Sequence, residues 1–195
     1  MGSIFSSAAV PDGPYAYKFT GFALWLLLES QELQAVIDTM NPSPWRAHST
    51  LLYGMRLDEA TARRSFDRLR ARVNESCRPV SVSCATAPTL FGDYPPFQMR
   101  VIGIAFDEHE TVDELRQVAA ASFGQPAPHA HFAHSSLIYD WIGSPRVSQR
   151  LVTDIRRRWP ALAAGSAIKA DAIALVEMEN LTVAEWKIVD RIELR

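Results

Sequence analysis

The apolar positions of this chain fall into two series, each passing from a strand-like to a helix-like period and back. Gly21–Leu28 is apolar almost throughout, too short and too uniform for a surface helix, which predicts a buried strand. From Gln31 to Met40, Leu33, Val36, Ile37 and Met40 recur at helical spacing, and Asn41-Pro42-Ser43-Pro44 stops that helix because the residue before a proline is pushed out of helical geometry. A short strand over His48–Tyr53 follows. Asp58 then caps a basic helix to about Glu75, with Ala60, Phe66, Leu69 and Val73 inward and Arg63, Arg64, Arg68, Arg70 and Arg72 mostly outward, as a solvated face. Pro79–Thr86 and Phe97–Phe106 alternate with period two, and the turn residues Gly92-Asp93-Tyr94-Pro95-Pro96 between them predict a hairpin with an ordered loop.

The second series repeats this order. Thr111–Phe123 reads as a helix opened by a capping box from Thr111 to Glu114 and ended by Gly124 and Pro126. A strand over His134–Tyr139, a helix over Pro145–Trp159 and two strands, Ala167–Met178 and Glu185–Leu194, complete it, with a turn at Asn180. Each half is thus β-α-β-α-β or a close variant. The expected fold class is α+β: a bilobal molecule with two antiparallel-rich sheets related by a pseudo-two-fold axis, helices outside and a central cleft between sheet faces. Residues 1–18 mix Pro, Gly, Ser and Ala without periodicity and predict a flexible N-terminal arm, leaving 19–195 as a single bilobal domain.

The two halves share more than their order of elements. His48-Ser49-Thr50-Leu51-Leu52-Tyr53 and His134-Ser135-Ser136-Leu137-Ile138-Tyr139 both read H-S-[ST]-L-[LI]-Y. Internal repeats usually mean repeated architecture. Strict alternation along a strand puts His48 with Thr50 on one face and Ser49, Leu51 and Tyr53 on the other, and it groups His134, Ser136 and Ile138 in the same way. A pseudo-two-fold axis would set two imidazoles across a cleft, flanked by two hydroxyls. That constellation suits displacement at phosphorus. One neutral ring takes a proton from the attacking oxygen, the other, protonated, gives one to the leaving oxygen, and hydroxyls hold the non-bridging oxygens.

At these residues the chain resembles the two-histidine (2H) phosphoesterase superfamily, whose signature is a pair of H-x-[ST] strands, and within it the cyclic phosphodiesterases of plants and fungi. The resemblance implies a bilobal α+β fold that hydrolyses cyclic nucleotide or ADP-ribose cyclic phosphates without a metal or other cofactor. It assigns His48 and His134 as the acid/base pair, Thr50 and Ser136 as phosphate-oxygen donors and Tyr139 as a further contact. Two departures stand out: Ser, where the family usually has an apolar residue, follows both histidines, and Ala, where it often has Pro, precedes both. They keep open a second reading, the same scaffold turned to acid/base isomerisation, cyclisation or hydrolysis of a non-phosphorylated small molecule. A third is a binding module for a phosphorylated ligand.

Composition narrows the partners. A formal charge of −2 supplies no basic field for a long nucleic acid, whereas a small phosphorylated substrate needs only a local positive patch, for which Arg46 and Arg100 are the first candidates. Cys77 and Cys84 are too few for a disulfide framework or structural zinc site and read as free thiols. His129 and His131 invite a metal site with His134, but the alternation puts His134 on the opposite face, so they read as residues rimming the cleft. Trp25, Trp45 and Trp141 lie near the motif strands and read first as core, with stacking on an aromatic substrate as the alternative. The apolar run Phe22–Leu28 is too short to span a bilayer, and the start lacks a cleavable signal pattern, which predicts a cytoplasmic protein. Met1-Gly2-Ser3-Ile4-Phe5-Ser6 fits the N-myristoylation pattern, one short enough to arise by chance.

Overall fold

The computed structural model describes residues 20–41, 44–76, 80–94, 99–107, 110–126, 133–140, 145–179 and 185–194. The predicted arm, Cys77, His129, His131 and Trp141 lie outside them, and Arg100 is described by its backbone, which pairs with Asp140. The elements run β1 (Phe22–Glu29), α1 (Gln31–Met40), β2 (His48–Met55), α2 (Glu59–Ser76), β3 (Ser81–Ser83), β4 (Thr89–Tyr94), β5 (Met99–Ala105), α3 (Glu110–Phe123), β6 (His134–Asp140), α4 (Pro145–Arg158), β7 (Ala167–Glu177) and β8 (Lys187–Glu193). The fold is α+β, with two antiparallel sheets. In the first, the order is β2-β1-β7, with β3 and β8 both pairing β7 along different stretches; in the second it is β4-β5-β6.

Each helix boundary has a local cause. Ser30 caps α1, its hydroxyl accepting from the Leu33 N–H at 3.2 Å. Asp58 caps α2 by accepting from the Thr61 N–H at 2.8 Å. Gly124, at φ 63°, ends α3 in the left-handed conformation that glycine adopts without strain. Helix α3 begins at Glu110, so Thr111 lies in its first turn and the predicted capping box does not open it.

The lobes interlock. Helix α1 precedes motif strand β2 but packs on β6, and α3 precedes β6 but packs on β2. Asn41, the C-cap of α1, spans the halves: its buried amide donates to Ile37 O at 2.8 Å and to Leu137 O, in the other motif strand, at 2.9 Å. The two motif strands touch one another. Since β2 and β6 are each the edge of their sheet, the two sheets meet at the strands that carry the histidines.

Leu24, Leu26, Leu28, Leu33, Ile37, Phe66, Leu69, Ile102, Ile104 and Leu137 form much of the core, each with about 1.5–3 kcal/mol at stake in full burial. Two expectations fail here. Ala62 is buried where Ala60 was expected, because α2 turns Ala60 to solvent. The hairpin proposed between Pro79–Thr86 and Phe97–Phe106 does not form: β3 joins β7 in the first sheet, and β5 pairs instead with β4, a strand running through the stretch read as a loop. The two segments are linked instead by the isolated bridge from Cys84 to Phe106 and by hydrogen bonds from the Ala85 N–H to Ala105 O at 2.8 Å and from the Ala105 N–H to Thr86 Oγ1 at 3.2 Å.

Candidate active site

The register of the sheets decides which side chains share the cleft. Across the first sheet, His48 stands opposite Leu27 and that residue opposite Ala172; Thr50 stands opposite Trp25, then Ala174, then Arg191. Directly opposed residues share a face. His48 and Thr50 therefore share one face with Trp25, as the alternation predicted. In the second sheet His134 opposes Ala105 and Ser136 opposes Gly103, so these two also share a face.

Beyond the hydroxyl residue the expected alternation breaks, and in the same place in both copies. Leu52 pairs with Leu24 while Thr50 pairs with Trp25, which leaves Leu51 as an extra residue; Ile138 pairs with Ile102 while Ser136 pairs with Gly103, which leaves Leu137 extra. Each bulge shifts the following residues by one face. Ile138, expected beside His134 and Ser136, is instead buried on the helix side, and Tyr139, opposite Val101, joins the face of the histidine. In β2 the same shift returns Tyr53, 54% exposed, to the face of His48.

The middle serines point away from the cleft. Ser49 and Ser135 are both completely buried, and neither hydroxyl has a hydrogen-bond partner among the described residues. They occupy positions that an apolar side chain would fill without that loss.

The two imidazoles sit in different surroundings. His48 is 5% exposed, and its Nδ1 lies 2.7 Å from the carbonyl oxygen of Arg46. A carbonyl only accepts, so Nδ1 carries the hydrogen and the lone pair belongs to Nε2. The Trp25 indole lies on one face of the ring, centroids 3.7 Å apart and planes 10° from parallel. Burial pulls the His48 pKa down from 6.5 to about 4; the Arg46 carbonyl opposes this and the charge of His134 adds to it. His134, by contrast, is only partly buried and meets Phe91 edge-on at 5.5 Å and 70°. Gly103 makes that contact possible, since a Cβ there would lie 2.6 Å from the Phe91 ring and 2.5 Å from Ser135 O.

Around His48 the cleft is aromatic. Trp186 meets Trp25 at 5.4 Å, and Trp45 packs on Tyr139 at 5.1 Å and faces Trp186 at 6.3 Å. On β7 the small Ala174 stands opposite Trp25 and Ala172 opposite Leu27. Arg46 does not stand free: its guanidinium lies 3.9 Å from Asp171, which also pairs with Arg191 at 3.2 Å. Sequence reasoning missed Trp186 and Phe91. Phe91 sits in Thr89-Leu90-Phe91, three strand-favouring residues that the following Gly92-Asp93 masked; no comparable signal marks Trp186.

No protein-family model and no curated protein matches this chain. Solved structures do. TT0787 of Thermus thermophilus aligns with a TM-score of 0.58 at 16% identity, covering 89% of this chain and 97% of its own. LigT of E. coli complexed with ATP gives 0.55 at 12%, covering 91% and 99%, and Usb1 of Kluyveromyces marxianus gives 0.53 at 15%, covering 89% and 96%. All three are members of the 2H phosphoesterase superfamily. This chain has the 2H phosphoesterase fold. In this chain each of the two sheets carries one of the H-S-[ST] strands at its edge. The register places Thr50 with His48, and Ser136 and Tyr139 with His134, on their respective cleft faces.

Proposed function

We propose that this protein is a cyclic phosphodiesterase that opens a nucleotide or ADP-ribose cyclic phosphate by paired-histidine acid/base catalysis, with no metal in the reaction. The observation that carries this reading is the pair of imidazoles on equivalent, touching strands, one held neutral and one more open to water. Water attacks phosphorus while Nε2 of His48 accepts its proton. The bond from phosphorus to one ring oxygen breaks, and imidazolium His134 protonates that oxygen as it leaves. Thr50, Ser136 and Tyr139 donate to the non-bridging oxygens, whose charge grows in the transition state. The negative phosphate, once bound, also raises the proton affinity of His48, which brings a weak base closer to useful strength.

The structural neighbours support a small phosphorylated ligand: Usb1 was solved with uridine monophosphate and LigT with 3′-AMP. Replacing either histidine, as His48→Ala or His134→Ala, is expected to cut turnover of a 2′,3′-cyclic nucleotide by at least about 10²-fold. Equal activity in the wild type and the double variant would dispose of the reading.

One observation favours a second reading. The surroundings of His48 are aromatic, and among the described side chains Arg46 and Arg191 are engaged by Asp171. Such a pocket fits a neutral substrate undergoing acid/base isomerisation, cyclisation or hydrolysis. A panel of cyclic phosphates separates the two: turnover of any member supports the first, and none turned over, with a bound ligand lacking phosphate, supports the second.

A further inference from the structure

Trp25 is read most simply as core, and it is 3% exposed. Its position asks more of it. On β1 it stands opposite Thr50, one step along the same face from His48, and its indole lies flat on the imidazole. The Arg46 carbonyl fixes the in-plane direction of that ring at Nδ1. Rotation of the ring about that bond is what the indole prevents. Trp25 is itself held, with Trp186 edge-on at 71° and the small Ala174 beside it on β7. In the other half the contact is of a different kind: Phe91 meets His134 by an edge, at 5.5 Å and 70°.

We propose that Trp25 is the positioning residue of the pair: its stack fixes the plane of His48 and excludes water from one face of the ring, so that His48, and not His134, is the proton acceptor. This rests on the reading of His48 and His134 as acid and base. The other groups facing His48 do not account for the asymmetry. Among the described residues, His134 acts from β6, Tyr53 shares the face of His48 on β2, and Arg46, Asp171 of β7, and Arg191 and Glu193 of β8 lie along its own sheet. Asp171 pairs with both arginines, and Arg191 pairs also with Glu193 at 2.7 Å, so these four charges balance. What remains is loss of water, the largest cause of the depressed His48 pKa, with the charge of His134 adding to it.

The test is an NMR titration of the His48 imidazole in the wild type, Trp25→Phe and Trp25→Leu, run beside the pH profile of kcat/KM. The wild-type midpoint is expected near 4. In Trp25→Leu it should rise by at least about one pH unit, and the acid limb of kcat/KM should rise with it, while Trp25→Phe falls between. A wild-type midpoint at or above 6.5, or one that Trp25→Leu leaves in place, overturns the proposal. If Trp25→Leu does not fold, the same demand falls on Trp25→Phe. The titration reads His48 whether or not the chain cleaves a phosphate. Failure of the phosphodiesterase reading would give shifted midpoints without turnover, and failure of the Trp25 proposal would give turnover with unshifted midpoints.

Discussion

His48 and His134 begin the same six-residue pattern, are followed by the same bulge and lie on the meeting edges of two similar sheets, yet their environments differ. The first is sealed beneath an indole with one nitrogen tied to a carbonyl; the second is partly open and touched by the edge of a phenyl ring. A repeated strand by itself delivers two equal groups, which is poor equipment for a reaction that needs a base and an acid together. Neighbouring strands break the equality: β1 contributes Trp25 to one side, and β4 contributes Phe91 across Gly103 to the other. Two copies of one chemical group acquire different roles when their environments push their proton affinities apart.

The largest effect that sharpens this comparison, after the loss of turnover on removing either histidine, concerns acid. His48 has a folded-state pKa of about 4 against 6.5 for an unperturbed ring, so between those values the unfolded chain holds the proton and the folded chain does not. The associated stability is complete above about pH 6.5, falls as the pH drops, and is fully lost below about 4. It amounts to about 3 kcal/mol. Urea unfolding of the wild type and His48→Gln across this range should show the wild type gaining on the variant as the pH rises; parallel curves would contradict the buried neutral ring.

A smaller effect probes the link between the halves. Asn41→Ala removes the donor to Leu137 O, the carbonyl of the bulge that turns Tyr139 toward the cleft, and leaves that carbonyl without this partner. The expected cost is about 1–3 kcal/mol by denaturant titration, with activity falling more than it does for an exposed substitution on the same helix such as Gln31→Ala. The smallest effect bears on the shared serines. Ser49→Ala and Ser135→Ala each discard a buried hydroxyl with no partner among the described residues, so each is expected to leave stability unchanged or raise it by up to about 1 kcal/mol. Loss of more than that in either variant would show that the hydroxyl is in use.

Much of this architecture is written in local patterns. The spacing of Leu33, Val36 and Ile37, the caps at Ser30 and Asp58 and the stop at Gly124 are short-range causes, and helix ends followed them closely. The repeated motif likewise marked both site strands. What the sequence hid depends on partners distant in the chain. A bulge exists only relative to the strand opposite, so nothing within Leu51 or Leu137 announced it, and the faces of Ile138 and Tyr139 were read the wrong way round. Strand β4 was obscured because its own end carries turn-forming Gly92 and Asp93. The crossing of α1 onto β6 and α3 onto β2 arises from the packing of one half on the other, which no periodicity records.

The account is tested most directly by a crystal structure with a bound nucleoside 3′-monophosphate, the kind of ligand seen in LigT. It predicts the phosphate between the two rings, with one oxygen within hydrogen-bond distance of Nε2 of His48, another within reach of His134, and Thr50 and Ser136 on the remaining oxygens. A phosphate that lodges elsewhere, or that meets only one of the two imidazoles, contradicts it.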